Sequence, residues 1–284
     1  MAQIREIKRR IKSINNTAKV THAMELVAAA KMRKSQEKAL SSRPYTISLN
    51  EIISQLRSNT QENRHQLLMQ TDSSSPLIIL ITSDRGLVGG LNLNVIREAA
   101  KNQYQKVKFV IVGKKGLNYS AKTGGDILAS FMSDEQPFIN LARTLTRLAV
   151  GSYVTKESNS VFIVYPNFQS TIKQTPTTTK LLPIEFADME KPGTNYQAPG
   201  TLLFEPSPDR ILENILPHYV LTRIYQALLE AKASEHSARM VAMKNATDSA
   251  NDLVDDLTLT YNQARQEAIT KELLDIVTAQ AALE

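Results

Sequence analysis

Near the amino terminus, apolar residues recur at Ile4, Ile7, Ile11, Ile14 and Ala18, alternately three and four apart. That is the spacing of a coiled-coil seam, in which one stripe of a helix meets a partner helix. The stripe drifts to Met24 and Val27, and Ala28, Ala29 and Ala30 add strong helix formers. A second seam runs through Met240, Met243, Thr247, Ala250, Val254, Leu257, Tyr261, Ala264 and Ala268. It then slips by one position to Ile269, Leu273 and Ile276. A slip alters the local supercoil without ending the helix. Two such seams predict an antiparallel, left-handed coiled coil of the terminal helices.

The middle has a different pattern. Residues 76–82 form a short apolar run that reads as a buried strand, followed by a glycine-rich turn over 83–90 and a helix over 91–105. Residues 107–112 and 160–165 read as two more strands, with a helical crossover over 137–154. Strand and helix in alternation predict a small Rossmann-like parallel α/β sheet. The threonine-rich stretch 169–183 reads as edge strands, and 187–201 has the composition of a loop.

The punctuation sharpens this division. All ten glycines and eleven prolines lie between Pro44 and Pro217. Neither residue interrupts the last 67 positions, which as one helix would span about 100 Å at 1.5 Å per residue. A globule of this chain length is only about 50 Å across, so the terminal helices are expected to project and to need a socket. Pro44 and Pro217 are expected to kink their helices or open a turn. The resulting organisation is α/β with long helices: a shaft over 1–58 and 208–284, and a central domain over 74–200.

Charge is distributed unevenly. Residues 1–43 carry eleven Lys or Arg against three acids, whereas residues 252–284 carry seven acids against Arg265 and Lys271. A basic end and an acidic end pair with each other or face separate partners. The chain has no cysteine, which excludes disulfides and thiolate metal sites. Its longest apolar run is far short of a membrane span, and its first residues lead directly into charge, without a signal core.

Catalytic patterns fail one by one. Gly86, Gly89 and Gly90 follow a strand and precede a helix, but match neither phosphate-loop nor dinucleotide spacing; the same holds for Gly113 and Gly116. The four histidines, His22, His65, His218 and His236, are scattered away from metal-ligand spacing. No cofactor and no small-molecule ligand are expected. The basic first helix suits nucleic acid only weakly, since its Ala and Met surface between Ala23 and Met32 suits packing inside protein.

Three stretches resemble the gamma subunit of F-type ATP synthases. Residues 16–34 (NTAKVTHAMELVAAAKMRK) resemble its first helix and residues 83–92 (SDRGLVGGLN) its central-domain turn. Residues 235–248 and 261–276 resemble its last helix, and the order and spacing agree over essentially the whole chain. The resemblance implies a non-catalytic central-stalk rotor. Three alpha and three beta subunits would surround the terminal helices, with epsilon and the c ring at the foot. Proton flow would turn the ring and the shaft with it, and the chemistry would belong to beta. It also implies a peripheral location on the cytoplasmic face of a bacterial inner membrane rather than on the mitochondrial matrix side.

Carried over residue by residue, the resemblance gives a set of contact positions. Met24, Arg33 and Lys34 lie on the first helix, where the basic groups would meet acidic loops of beta. Arg85 and Val88 lie on the central turn, near the foot of the ring. Glu205, between Phe204 and Pro206, falls near the c ring. Arg239, Arg265, Gln266, Thr270 and Glu272 fall near the upper contacts with alpha and beta. The chain departs from the family in having Ala279 and Gln280 where glycine and alanine are usual, and it lacks the cysteine-bearing insertion of chloroplast gamma subunits. Two other readings compete with this one: a basic coiled-coil scaffold or nucleic-acid binder, and a small-molecule α/β enzyme with its ligand at the carboxyl ends of the strands.

Overall fold

The computed structural model describes residues 2–58, 65–71, 75–101, 107–133, 135–185, 205 and 207–281. The elements are α1 (Ala2–Ser58), β1 (Leu77–Ile81), α2 (Leu91–Lys101), β2 (Lys108–Val112), α3 (Lys114–Thr123), β3 (Asp126–Phe131), α4 (Phe138–Val154), β4 (Val161–Phe168), β5 (Gln174–Leu182) and α5 (Pro208–Ala281). Two compact units result. One comprises Met1–Ala29 with Arg239–Glu284, the other Ala30–Ala238.

The larger unit is built on a five-stranded sheet of order β3-β2-β1-β4-β5. β1 pairs in parallel with β2 and β4, β2 pairs in parallel with β3, and β5 closes the edge antiparallel to β4. β1 is central and every residue in it is buried, which is why it reads as an unbroken apolar run. Alternate residues serve opposite faces. Ile78 and Leu80 pack with Val95, Ile96 and Ala99 of α2. Leu77, Ile79 and Ile81 pack into a larger core with Leu141, Leu145 and Ala149 of α4. The same core takes Leu49, Ile53 and Leu56 from the end of α1, and Leu216, Val220 and Ile224 from the start of α5. Each fully buried Leu or Ile contributes about 1.5–3 kcal/mol, so this face anchors both long helices to the sheet.

Two elements go beyond the sequence reading: α3 and β3, which fill residues 114–131 and extend the parallel sheet to its other edge. The helix read over 91–105 is seen from Leu91 to Lys101, and its expected continuation lies outside the described residues. So does the loop expected over 187–201.

The prolines do not end their helices. α1 runs through Pro44 and α5 through Pro217. Each removes one backbone N–H from its helix, and Pro44 lies on an exposed face of α1.

α5 is enclosed as it crosses the larger unit. Ala231, Ala233, Ser234, Glu235, His236, Ser237 and Ala238 are all buried. Small residues there let the helix approach its neighbours closely, and their hydroxyls serve backbone carbonyls. Ser234 Oγ donates to the Pro166 carbonyl at 2.9 Å, and Ser237 Oγ donates to the Thr171 carbonyl at 2.6 Å. Lys232 and Glu235 form an ion pair at 3.0 Å, nearly withdrawn from solvent. These contacts tie the β4–β5 hairpin to the helix.

In the smaller unit the two helices pair along the predicted seams. The hydroxyls of Thr21 and Thr247 stand 2.7 Å apart. Ala18 and Ala250, each three residues along in opposite directions, are both 6% exposed, so the pair is antiparallel. Ile7 and Met243 are buried on the same seam, while Ile4, Ile11, Ile14, Val254, Leu257, Tyr261 and Ala264 are half-buried. A two-helix seam can cover each side chain on one side only.

Candidate partner interface

The turn between β1 and α2 sits at the carboxyl end of the sheet, where doubly wound enzymes bind their ligands. Here the chain's own groups fill that position. The first amides of α3 are the free donors of a helix start, suited to a phosphate. The Lys114 N–H donates to Asp84 Oδ1 at 3.1 Å, the Lys115 N–H to the Ser83 carbonyl at 3.2 Å, and the Gly116 N–H to Thr82 Oγ1 at 2.9 Å. Asp84 Oδ2 accepts from the Ser133 N–H at 2.9 Å. The donors a phosphate would need therefore serve the β1–α2 turn.

This closeness explains Gly113 and Gly116. A Cβ on Gly113 would lie 2.1 Å from the Thr82 carbonyl oxygen, and one on Gly116 would lie 2.8 Å from Thr82 Oγ1. Gly113 also has φ 98, a left-handed conformation suited to glycine. Both glycines thus meet a packing requirement.

The other end of the turn is closed by α5. Val88 is 3% exposed and packs with Leu91 and Ala238. Val88 is therefore placed inside the chain's own core. Its neighbours are not. Arg85 is exposed, and Leu87 is 59% exposed with φ 62. For a residue with a Cβ that conformation costs about 1–2 kcal/mol. Ser83 and Asn92 stiffen the base of the turn: the Ser83 N–H donates to Asn92 Oδ1 at 3.0 Å, and Asn92 Nδ2 donates to Ser83 Oγ at 2.8 Å.

The other sequence-derived positions lie on separate stretches. Arg265, Gln266, Thr270 and Glu272 are all exposed on the distal part of α5. Met24 and Arg239 are half-buried in the smaller unit. Arg33 and Lys34 are exposed on α1 in the larger unit. Glu205 is exposed and borders an open groove of about 690 Å³ along the start of α5, beside Arg210, Glu213, Asn214 and His218. Its neighbours Phe204 and Pro206 lie outside the described residues. The structure thus places Arg85 and Val88 on one turn, the first exposed and the second buried, and four positions on the distal part of α5.

One surface exceeds what the seam implied. Ile269, Leu273 and Ile276, expected to continue the seam after its slip, are 49%, 58% and 63% exposed, as are Leu274 at 58% and Val277 at 61%. In the register set by Thr21 and Thr247, Ala2, nineteen residues before Thr21, is level with Gln266, nineteen after Thr247. An apolar helix end of this kind marks a protein contact. The run of aliphatic residues was legible in the sequence, but not that it stands uncovered.

Among the described residues, no group of His, Asp or Glu is arranged to hold a metal, and no helix is long and apolar enough to cross a membrane. Paired terminal helices and a mostly parallel sheet with helices on both faces define an α/β protein with long terminal helices. The ATP synthase family profile matches residues 3–283. An ATP synthase gamma chain from Opitutus terrae is 40% identical over 292 residues, covering 99% of each chain. Another, from Dehalococcoides mccartyi strain CBDB1, is 41% identical over 290 residues, covering all of both. The chain belongs to the ATP synthase gamma chain family. Its fold is also that of a chain in the Euglena gracilis mitochondrial ATP synthase, with a TM-score of 0.70 and 22% identity over 99% of this chain and 95% of that one.

Proposed function

We propose that this chain is the central-stalk rotor of a proton-translocating ATP synthase, coupling rotation to conformational change in catalytic subunits and performing no catalysis itself. The observation that carries this reading is full-length membership of the gamma chain family. The structure supports it with an antiparallel helix pair ending in an uncovered apolar segment. Residues 1–58 and 208–284 act as the shaft and 74–200 as the domain at its foot. Three alpha and three beta subunits enclose the shaft, with Arg265, Gln266, Thr270 and Glu272 at the upper contacts. Arg33 and Lys34 face acidic loops of beta, and Met24 and Arg239 lie along the shaft's contact surface. Epsilon and the c ring hold the foot, with Glu205 near the c ring. The complex is peripheral at the cytoplasmic face of a bacterial inner membrane.

Copurification tests this assignment. A tagged chain should bring down alpha and beta at one copy of itself per three of each. Recovery alone, or with nucleic acid that salt releases, would point to the basic scaffold instead.

A further inference from the structure

Within the larger unit a chain of polar side chains joins α1, α5, β4 and β5. The Ser42 hydroxyl of α1 donates to Gln226 Oε1 of α5. Gln226 Nε2 donates to Glu230 Oε1 at 2.8 Å, and the Glu230 carboxylate shares a side-chain hydrogen bond with the Tyr165 phenol of β4. Tyr165 also bonds to Thr179 of β5. All five side chains are half-buried. The position of this chain is informative. The large core takes aliphatic side chains of α1 only from Leu49 onward. Between Ala30 and Ser48, among the described residues, the buried apolar side chains are Met32 and Ala39. Apolar packing is non-directional, whereas a hydrogen bond weakens steeply when its partners turn out of line. Hydrogen bonds therefore hold this stretch of α1 against turning about its own axis, which its thin apolar contact does not.

We propose that Gln226 and Glu230 are positioning residues that fasten this stretch of α1 to the sheet, so that the helix turns with the α/β domain and does not slip against it. This rests on the rotor reading above. The chemistry of each position suits the role. A carboxamide both accepts and donates, so one planar group of Gln226 serves Ser42 through its oxygen and Glu230 through its nitrogen. Glu230 is an acceptor only, and it closes the chain by taking a donor from α5 on one side and from β4 on the other. An aliphatic side chain at either position would fill the space and orient nothing.

Gln226→Met keeps the length of the side chain and removes both polar contacts. Ser42 then still has the Ala39 carbonyl, 3.0 Å away, to receive its proton. Nitroxides on Lys38→Cys of α1 and Ile172→Cys at the β4–β5 tip, both exposed, report the distance from helix to sheet by pulsed electron paramagnetic resonance. In the full chain, Gln226→Met should shift and broaden that distance distribution. In the assembled complex it should lower the number of protons pumped per ATP hydrolysed. Ser42→Ala, which cuts the same link from the α1 side, should reproduce both effects. Glu230→Gln leaves an amide oxygen for both donors, so distances and coupling should stay native, while the Tyr165 phenol, freed of the carboxylate's charge, should ionise at a lower pH. Native distances in Gln226→Met and Ser42→Ala would overturn the fastening role, and native coupling in both would overturn its use in rotation. An unmoved Tyr165 ionisation in Glu230→Gln would overturn the link to β4. The rotor reading itself fails at a different step, if the native chain does not assemble with alpha and beta.

Discussion

At the scale of single residues, Gly113 leaves no room for a side chain. Alanine there would drive Cβ to 2.1 Å from the Thr82 carbonyl and force φ 98 on a residue that resists it. Gly113→Ala should destabilise the α/β unit by about 3 kcal/mol or more, read as a lower urea midpoint. Tyr165 gives a second test. Burial, reinforced by the Glu230 carboxylate and opposed by Arg223, pushes its phenol from 10.0 up to about 12. The folded state therefore favours the neutral phenol more than the unfolded chain does. That contribution is complete below pH 10, declines as pH rises from 10 toward 12, and levels off above. Its full size is about 3 kcal/mol, and Tyr165→Phe should flatten this part of the stability–pH curve.

At the scale of elements, the long helices were legible because glycine and proline are absent from their outer parts, and the seams gave their pairing. β1, β2 and β4 were legible as apolar runs, and α4 as the crossover between strands. α3 and β3 were not. Gly113, Gly116, Gly124 and Gly125 look like loop punctuation, yet Gly116 is an interior helix position kept small by Thr82. β3 is an edge strand alternating exposed and half-buried residues, and its apolar content is too thin to stand out. The glycine-rich turn after β1 was legible in outline. Which of its residues is buried was not, because the burial of Val88 depends on Ala238, 150 positions away. The apolar end of α5 makes a prediction of its own. Replacing Leu273 and Ile276 by glutamine should leave the stability of the free chain within about 0.5 kcal/mol, since both are exposed. The same change should weaken assembly with alpha and beta, measured as the fraction of chain recovered in the complex. A loss of stability as large as a core substitution would show that this segment is covered within the chain.

At the scale of the whole molecule, the sequence carries a charge gradient from a basic first segment to an acidic last one. Individual exposed charges are worth only about 0–1 kcal/mol, so steering by such a gradient depends on many residues together. Family membership turns this polarity into a working hypothesis about rotation, and the absence of cysteine makes that hypothesis directly observable. Ile172, at the tip between β4 and β5, is 84% exposed. Ile172→Cys gives a unique thiol for attaching a bead, while the surrounding beta subunits are fixed to a surface. On addition of ATP the bead should turn in one direction, for many turns, at a rate that follows ATP concentration. A bead that stays still while the same complexes hydrolyse ATP would show that this chain is a static scaffold.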